Sequence, residues 1–351
     1  MQLQMNGVLS GLGINGSCVR AEAHRHLAFF DIQLNRKQSS LRILENSAKE
    51  IALHMKTKTI PIMKIVPEEG VVRMQVALKT ATPVDLKSLW NGIRFPKNMI
   101  FPFLLGEDDG GEKLWMDMND NPHLLIAGST GSGKSTLIHN LICNSLFVHG
   151  MGQRNIEIYL SDPKRVEFVE YAHYSINGIV KSISNTYEDT LTQLKYIANE
   201  MERRYYVMHS SKIRSISENT KLFNLILYII DEVADLKMQD KSKELQNLLV
   251  KIAQKGRAAG IFLVLATQRP SVDIITGIIK ANFPGRIACK TASRKDSEVV
   301  LDRMGAETLL GRGDAILQNM KYNSVRFQVA YTVPSKTIKD YQRLIRKTLR
   351  P

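Results

Sequence analysis

Nine consecutive residues carry the plainest chemistry in the chain: Gly128-Ser129-Thr130-Gly131-Ser132-Gly133-Lys134-Ser135-Thr136 completes a GxxxxGK[ST] pattern. Glycines at these spacings let the backbone wrap tightly, so that successive N–H groups converge on phosphate oxygens. A helix opening near Lys134 would add the positive end of its dipole. Lys134 would then reach β- and γ-phosphates and Ser135 would offer its hydroxyl to a cation, so the expected cofactors are ATP and Mg²⁺.

Such a loop needs a carboxylate at the end of another buried strand. The apolar run Leu225–Ile230 leads directly into Asp231-Glu232. Asp231 would hold the metal through water, and Glu232 would polarise the attacking water as general base. Two adjacent carboxylates are costly to bury alone, and a cation offsets that cost. A third element follows the next apolar run, Ala266-Thr267-Gln268-Arg269-Pro270. In a parallel sheet all strand C-termini open onto one ligand edge. Thr267 and Gln268 can therefore face the γ-phosphate and register its presence, and Asp162-Pro163-Lys164, after the run from Ile156, falls on the same edge.

The elements that must position these groups are visible as patterning. Residues 124–127, 156–160, 225–230, 261–266 and 286–289 read as strands, several of them nearly unbroken apolar runs. Strands of that kind are covered on both faces by helices. An extra strand is expected between the P-loop strand and the acidic strand. The fold class is α/β with a mostly parallel central sheet, preceded by a small α+β domain. In that domain residues 27–34 and 71–78 read as strands, and 40–55 has helical period. Pro96, Pro102 and the acidic, Gly-rich stretch Gly106–Glu112 are taken as the domain entry. The expected boundaries are 1–104, 105–335 and a basic C-terminal segment, 336–351.

Composition bounds the function. The 351 residues are 44% hydrophobic and 23% charged, which excludes wholesale disorder. Cys18, Cys143 and Cys289 are far apart, which excludes a disulfide framework or zinc ribbon and points to a reducing compartment. There is no apolar run long enough to span a bilayer and no secretory leader pattern, so a cytoplasmic protein without direct membrane insertion is expected. The 48 Lys and Arg against 34 Asp and Glu give a net charge of +14, which favours a polyanionic partner. Half of that excess lies beyond residue 320. It reads as readily as the solvated face of a helix, with Ile338, Tyr341, Ile345 and Leu349 on one stripe, as it does as nucleic-acid contact.

Longer stretches resemble the motor of FtsK/SpoIIIE DNA translocases. They are Lys255–Gly260, Leu263–Asp273, Ile278–Asn282, Asp162-Pro163-Lys164, the segment Asn199–Tyr205, and Gly305-Ala306-Glu307 with Gly313-Asp314. The resemblance runs from about residue 25 to about 318. It implies a RecA-like P-loop ATPase forming a hexameric ring that encircles double-stranded DNA and pumps it by ATP hydrolysis. It also aligns Arg257 with the family's arginine finger, which completes a neighbouring subunit's site. From the residues alone, Arg257 reads better as a surface cation favoured at the C-terminal end of a helix over 242–257. The family's pore loops map onto Arg269–Lys280 and the segment around Ser293–Glu298. Arg269, Lys280, Arg294 and Lys295 are thereby the candidate DNA contacts, and Glu298 stands where the family commonly has Arg. The low aromatic fraction, 7%, argues against a base-stacking single-strand binder.

The membrane helices and the winged-helix domain of cell-division members have no counterpart in these residues. A compact motor serving a virus, plasmid or mobile element is therefore expected, with a loading or membrane-anchoring protein as a further partner. Two other readings remain open. One is an ATP-dependent DNA-binding switch or adaptor, and the other is a genome-packaging or conjugative pump with a protein partner.

Overall fold

Parallel strands covered on both faces need apolar side chains throughout, and four segments supply them. In the computed structural model these are the strands His123–Ala127, Ile156–Ser161, Leu225–Ile230 and Ile261–Thr267, with nearly every residue buried. The structure describes all residues except 25–26, 36–40, 58–59, 79–82, 92, 94–95, 97, 174–177 and 349–351. Two compact units result: Met1–Pro83 with Asp109–Glu112, and Val84–Asp108 with Lys113–Pro351.

In chain order the first unit contains α1 (Gln2–Gly11), β1 (Gly16–His24), β2 (Leu27–Leu34), α2 (Leu41–Asn46), α3 (Ala48–His54), β3 (Ile62–Val66) and β4 (Val71–Ala77). The strands form an antiparallel sheet in the order β1-β2-β4-β3. Met5, Leu9, Phe30, Ile32, Leu44, Ile51 and Met74 make its core. The helix expected over 40–55 is interrupted at Ser47, in a weakly helix-forming Asn-Ser pair. Hydrogen bonds from Ser47 N to Ile43 O and from Ile51 N to Ser47 O still run through the break. Ser40, at the start of that expected helix, lies outside the described residues.

The second unit begins with α4 (Leu86–Trp90), β5 (Pro102–Asp108), β6 (Lys113–Asp117), β7 (His123–Ala127), α5 (Lys134–Gly150), β8 (Ile156–Ser161), α6 (Val169–His173) and β9 (Val180–Ser184). It continues with α7 (Tyr187–Ser210), β10 (Leu225–Ile230), α8 (Val233–Lys237), α9 (Glu244–Lys255), β11 (Ile261–Thr267) and α10 (Gly277–Asn282). The last elements are β12 (Gly285–Cys289), α11 (Arg294–Leu301), β13 (Asp314–Gln318), β14 (Val325–Val329) and α12 (Pro334–Thr348). The described strands order as β6-β5-β14-β13-β12-β7-β11-β10-β8-β9. From β12 to β9 every pairing is parallel, whereas β13, β14, β5 and β6 extend the sheet antiparallel. Strand β11 lies between β7 and β10, the extra strand expected from the sequence.

Residues 84–104, which the sequence assigns to the small domain, group with the second compact unit, while Asp109–Glu112 group with the first. Pro102 and Gly106 look like punctuation, yet Phe101–Leu105 is an apolar run that enters the large sheet, where β5 pairs with β14. In the expected C-terminal segment, helix α12 buries Ile338 and Tyr341 fully in the core that also holds Leu146 and Phe147. That is the apolar stripe expected there; Leu349 and the side chain of Ile345 are outside the described part.

Asn144 on α5 fastens Trp90 and the strand residue Leu104 to the helix beside them. Its Oδ1 accepts from Trp90 Nε1 and from Leu104 N, each at 3.0 Å, and its Nδ2 donates to Leu104 O at 3.2 Å. Replacement by Leu strands these buried donors, at about 1–3 kcal/mol apiece. Asn144→Leu is therefore expected to lower unfolding stability by about 2–6 kcal/mol, read as a reduced urea midpoint with unchanged slope.

Candidate nucleotide site

Register brings the chemistry to one level. Ile230 of β10 pairs with Ser161 of β8 and with Leu265 of β11, while Thr267 pairs with Ala127 of β7. Gly128, Asp162, Asp231 and Gln268 therefore leave the sheet along one edge, the C-terminal edge of parallel strands where ligands bind.

The loop from Gly128 to Gly133 follows β7 directly, and Lys134 starts α5. Gly131 and Gly133 hold φ of 75° and 107°, in the region that glycine alone adopts easily. At Gly133 a Cβ would also come within 2.2 Å of Gly313 N, because Gly313 N donates to Ser132 O at 2.8 Å and closes the loop from behind. Ser129 is anchored to Lys290 O through both N and Oγ, at 2.8 and 2.9 Å. Thr136 follows on the first turn of α5, half-buried.

The charged groups sit on each other. Lys134, 3% exposed, forms an ion pair with Asp231 Oδ1 and donates to Asp231 O at 3.1 Å. Asp231 is 1% exposed, and its Oδ2 has no partner. Burial pushes the Asp231 carboxyl up, against the lowering pull of Lys134; Glu167 and Glu232 add to the rise. A buried carboxylate oxygen with no donor is a ready ligand for a hard cation. Among the described residues no three His, Cys, Asp or Glu side chains converge as a metal cage. That fits Mg²⁺, which takes one or two protein oxygens and completes its shell with phosphate and water. Ser135 and Asp231 are the residues that would hold Mg²⁺, which when bound would supply charge neutralisation to the phosphates.

Glu232, also 1% exposed, is the most heavily tethered group. It accepts from Thr267 Oγ1 at 2.6 Å, from Gln268 N at 3.1 Å and from Lys164 Nζ at 3.3 Å. Gln268 Oε1 in turn accepts from Thr130 Oγ1 at 3.1 Å. The acidic strand, the end of β11 and the P-loop are thus joined by direct hydrogen bonds. The sequence placed Lys164 on this edge but gave no hint of its contact with Glu232. Glu167 was missed altogether. It accepts from Ser135 Oγ at 2.7 Å, and a lone Glu in a loop carries no spacing signal.

The remaining candidates lie elsewhere. Arg257 is exposed just after α9, at the opposite end of β11 from Gln268. Arg269 is exposed, as are Arg294 and Lys295 on the first turn of α11, whose N-terminus is closed by a Ser293–Asp296 capping box. Lys280 is different, because Asp302 Oδ1 accepts from it at 2.6 Å and Arg286 pairs with the other oxygen. Lys280 is committed to a protein carboxylate.

A sequence model described as the FtsK/SpoIIIE family matches residues 87–225 and 218–272, more than half of the chain. The chain belongs to the FtsK/SpoIIIE family. Among curated FtsK/SpoIIIE relatives, a DNA translocase FtsK from Chlorobaculum tepidum is 36% identical over 324 residues, covering 87% of this chain and 39% of that protein. Another, from Treponema pallidum, is 38% identical over 300 residues, covering 82% and 37%. The chain therefore spans about two fifths of the length of these relatives. Among solved structures, the pCW3 conjugation coupling protein TcpA superposes with a TM-score of 0.66 at 20% identity, covering 96% of this chain and 98% of that one. The cytoplasmic domain of the Thermomonospora curvata secretion ATPase EccC gives 0.58 at 25% identity, covering 75% and 32%. These likenesses agree on the fold, a RecA-like P-loop ATPase with a mostly parallel sheet. Among the described residues of this FtsK/SpoIIIE chain, no helix is long and apolar enough to cross a membrane.

Proposed function

We propose that the chain is the motor of a ring-shaped, hexameric translocase that moves double-stranded DNA by hydrolysing ATP with Mg²⁺. The observation that carries the reading is Glu232, held between the acidic strand and the Thr267-Gln268 strand end, with Gln268 bonded to the P-loop. A change at the γ-phosphate that moves Thr130 or Gln268 also moves the group that orients the attacking water. Hydrolysis is thereby coupled to the segment beyond β11, which begins with the exposed Arg269. The FtsK relatives, named as DNA translocases, supply the substrate class. The ring is supported by Arg257, which lies at the wrong end of β11 to serve its own chain's nucleotide.

The test is DNA-stimulated phosphate release together with displacement of a third strand from a triplex. Lys134→Ala should abolish both, since Lys134 is the P-loop cation. ATP hydrolysis without any strand displacement by the unsubstituted chain would overturn pumping.

The cations differ in their expected contribution to DNA binding. Arg294→Ala with Lys295→Ala should weaken duplex binding and reduce its logarithmic salt slope by roughly 2, since each released phosphate contact removes about one counterion. Lys280→Ala should reduce that slope less than the double substitution does, because its ammonium shares the Asp302 carboxylate with Arg286. Fluorescence anisotropy over a salt series separates the two.

A further inference from the structure

A serine hydroxyl has one hydrogen and two lone pairs. In this site the hydrogen of Ser135 is spent on Glu167 Oε1, at 2.7 Å, and not on the acidic strand. Asp231 is engaged by Lys134 through Oδ1 and keeps Oδ2 buried without a partner. Glu167 does not swing freely. Its backbone N–H donates to Asp162 Oδ2 at 2.9 Å, and Phe168 N donates to the same oxygen at 3.2 Å. Asp162 and Phe168 are each 1% exposed, so the turn after β8 is fastened into the core. The second Glu167 oxygen faces His139 Nε2 on α5 at 3.7 Å, and His139 Nδ1 lies 2.9 Å from the Tyr171 hydroxyl.

We propose that Glu167 is a positioning residue for the divalent cation, holding the Ser135 hydroxyl hydrogen so that both oxygen lone pairs are free for the metal. The inference rests on the nucleotide-binding reading and deepens it. The unpartnered Asp231 Oδ2 is the independent mark that a cation belongs here. A carboxylate behind a ligand hydroxyl makes that oxygen more basic and fixes its direction, and loss of such outer partners typically costs about 10–100-fold in metal affinity. The turn Asp162-Pro163-Lys164 thereby gains a double role. Asp162 fixes Glu167 on the metal side, while Lys164 reaches Glu232 on the hydrolytic side.

The experiment titrates Mg²⁺ into the full chain with a fluorescent ADP analogue, and measures the same binding in EDTA. Glu167→Ala should raise the half-effective Mg²⁺ concentration about tenfold or more, with the affinity in EDTA within about twofold of the unsubstituted chain. Glu167→Gln should shift it less, because the amide oxygen still accepts from Ser135 while the charge is gone. Combining Glu167→Ala with Ser135→Ala should add nothing beyond Ser135→Ala alone, since both act on one hydroxyl. An unmoved Mg²⁺ midpoint in Glu167→Ala, or additive shifts in the double variant, would overturn the positioning role and leave nucleotide binding standing. Loss of the EDTA binding in both Glu167 variants would mark a structural role and overturn it likewise. Failure of the unsubstituted chain to bind the nucleotide in either condition would remove the nucleotide reading itself, and this inference with it.

Discussion

Glu232→Gln is expected to lower ATP turnover by about 10²–10⁴-fold, the range for losing a positioned general base, while nucleotide affinity stays within about twofold. The replacement keeps the volume of the side chain and, with its amide oxygen in the place of Oε1, an acceptor for both Thr267 Oγ1 at 2.6 Å and Gln268 N at 3.3 Å. What it removes is the lone-pair basicity needed to take a proton from water. Lys134, Ser135 and the P-loop amides, the groups that would contact phosphate, are untouched. Binding and hydrolysis should therefore separate, measured as analogue affinity against steady-state phosphate release. Equal losses in both would mean that Glu232 acts through the fold of the β11 terminus. Retained turnover would assign the base to another group on this edge. Lys164 provides a control, since its ammonium is 41% exposed and 3.3 Å from Glu232. Lys164→Ala leaves the carboxylate in place with its two donors from β11, so its cost should be far smaller.

The division between what the sequence made legible and what it hid follows the range of the interactions. The P-loop, the run into Asp231-Glu232 and the parallel strands are local patterns, and each is present where the residues put it. Pairing partners are not local. Residues 314–318 and 325–329 are not among the expected strands, although Val325, Phe327 and Val329 alternate with polar residues; β13 pairs with the edge of β12, and β14 pairs with β13. Residues 102–108 look like a linker because a proline opens them and a glycine interrupts them, and the pairings with β6 and β14 make them a strand. The same limit applied to the site. Spacing reveals Lys280 as a cation, but Asp302, which it shares with Arg286, belongs to a different helix end with a left-handed φ of 57°. Glu167 is likewise invisible until the turn after β8 is folded against α5.

Arg257→Ala should cost turnover about 10³–10⁵-fold if the guanidinium completes a neighbour's site, the magnitude of an arginine finger. The residue precedes β11 and Gln268 follows it, so the seven residues of the strand separate them. At roughly 3.3 Å per residue that is about 23 Å, beyond the reach of one side chain. Arg257 therefore has no route to the phosphates of its own chain. A head-to-tail ring of identical subunits, in which the face carrying one end of β11 meets the face carrying the other, provides one. Mixing decides the matter. Arg257→Ala subunits keep an intact P-loop, and Lys134→Ala subunits keep an intact Arg257, so each should be inactive alone. In an equal mixture about a quarter of the interfaces would pair a working loop with a working guanidinium, and a corresponding fraction of hydrolysis should return. A mixture as inactive as its components, with ring assembly intact by sedimentation, would show that Arg257 does not act across subunits. Its exposed position after α9 would then be accounted for by the helix dipole alone.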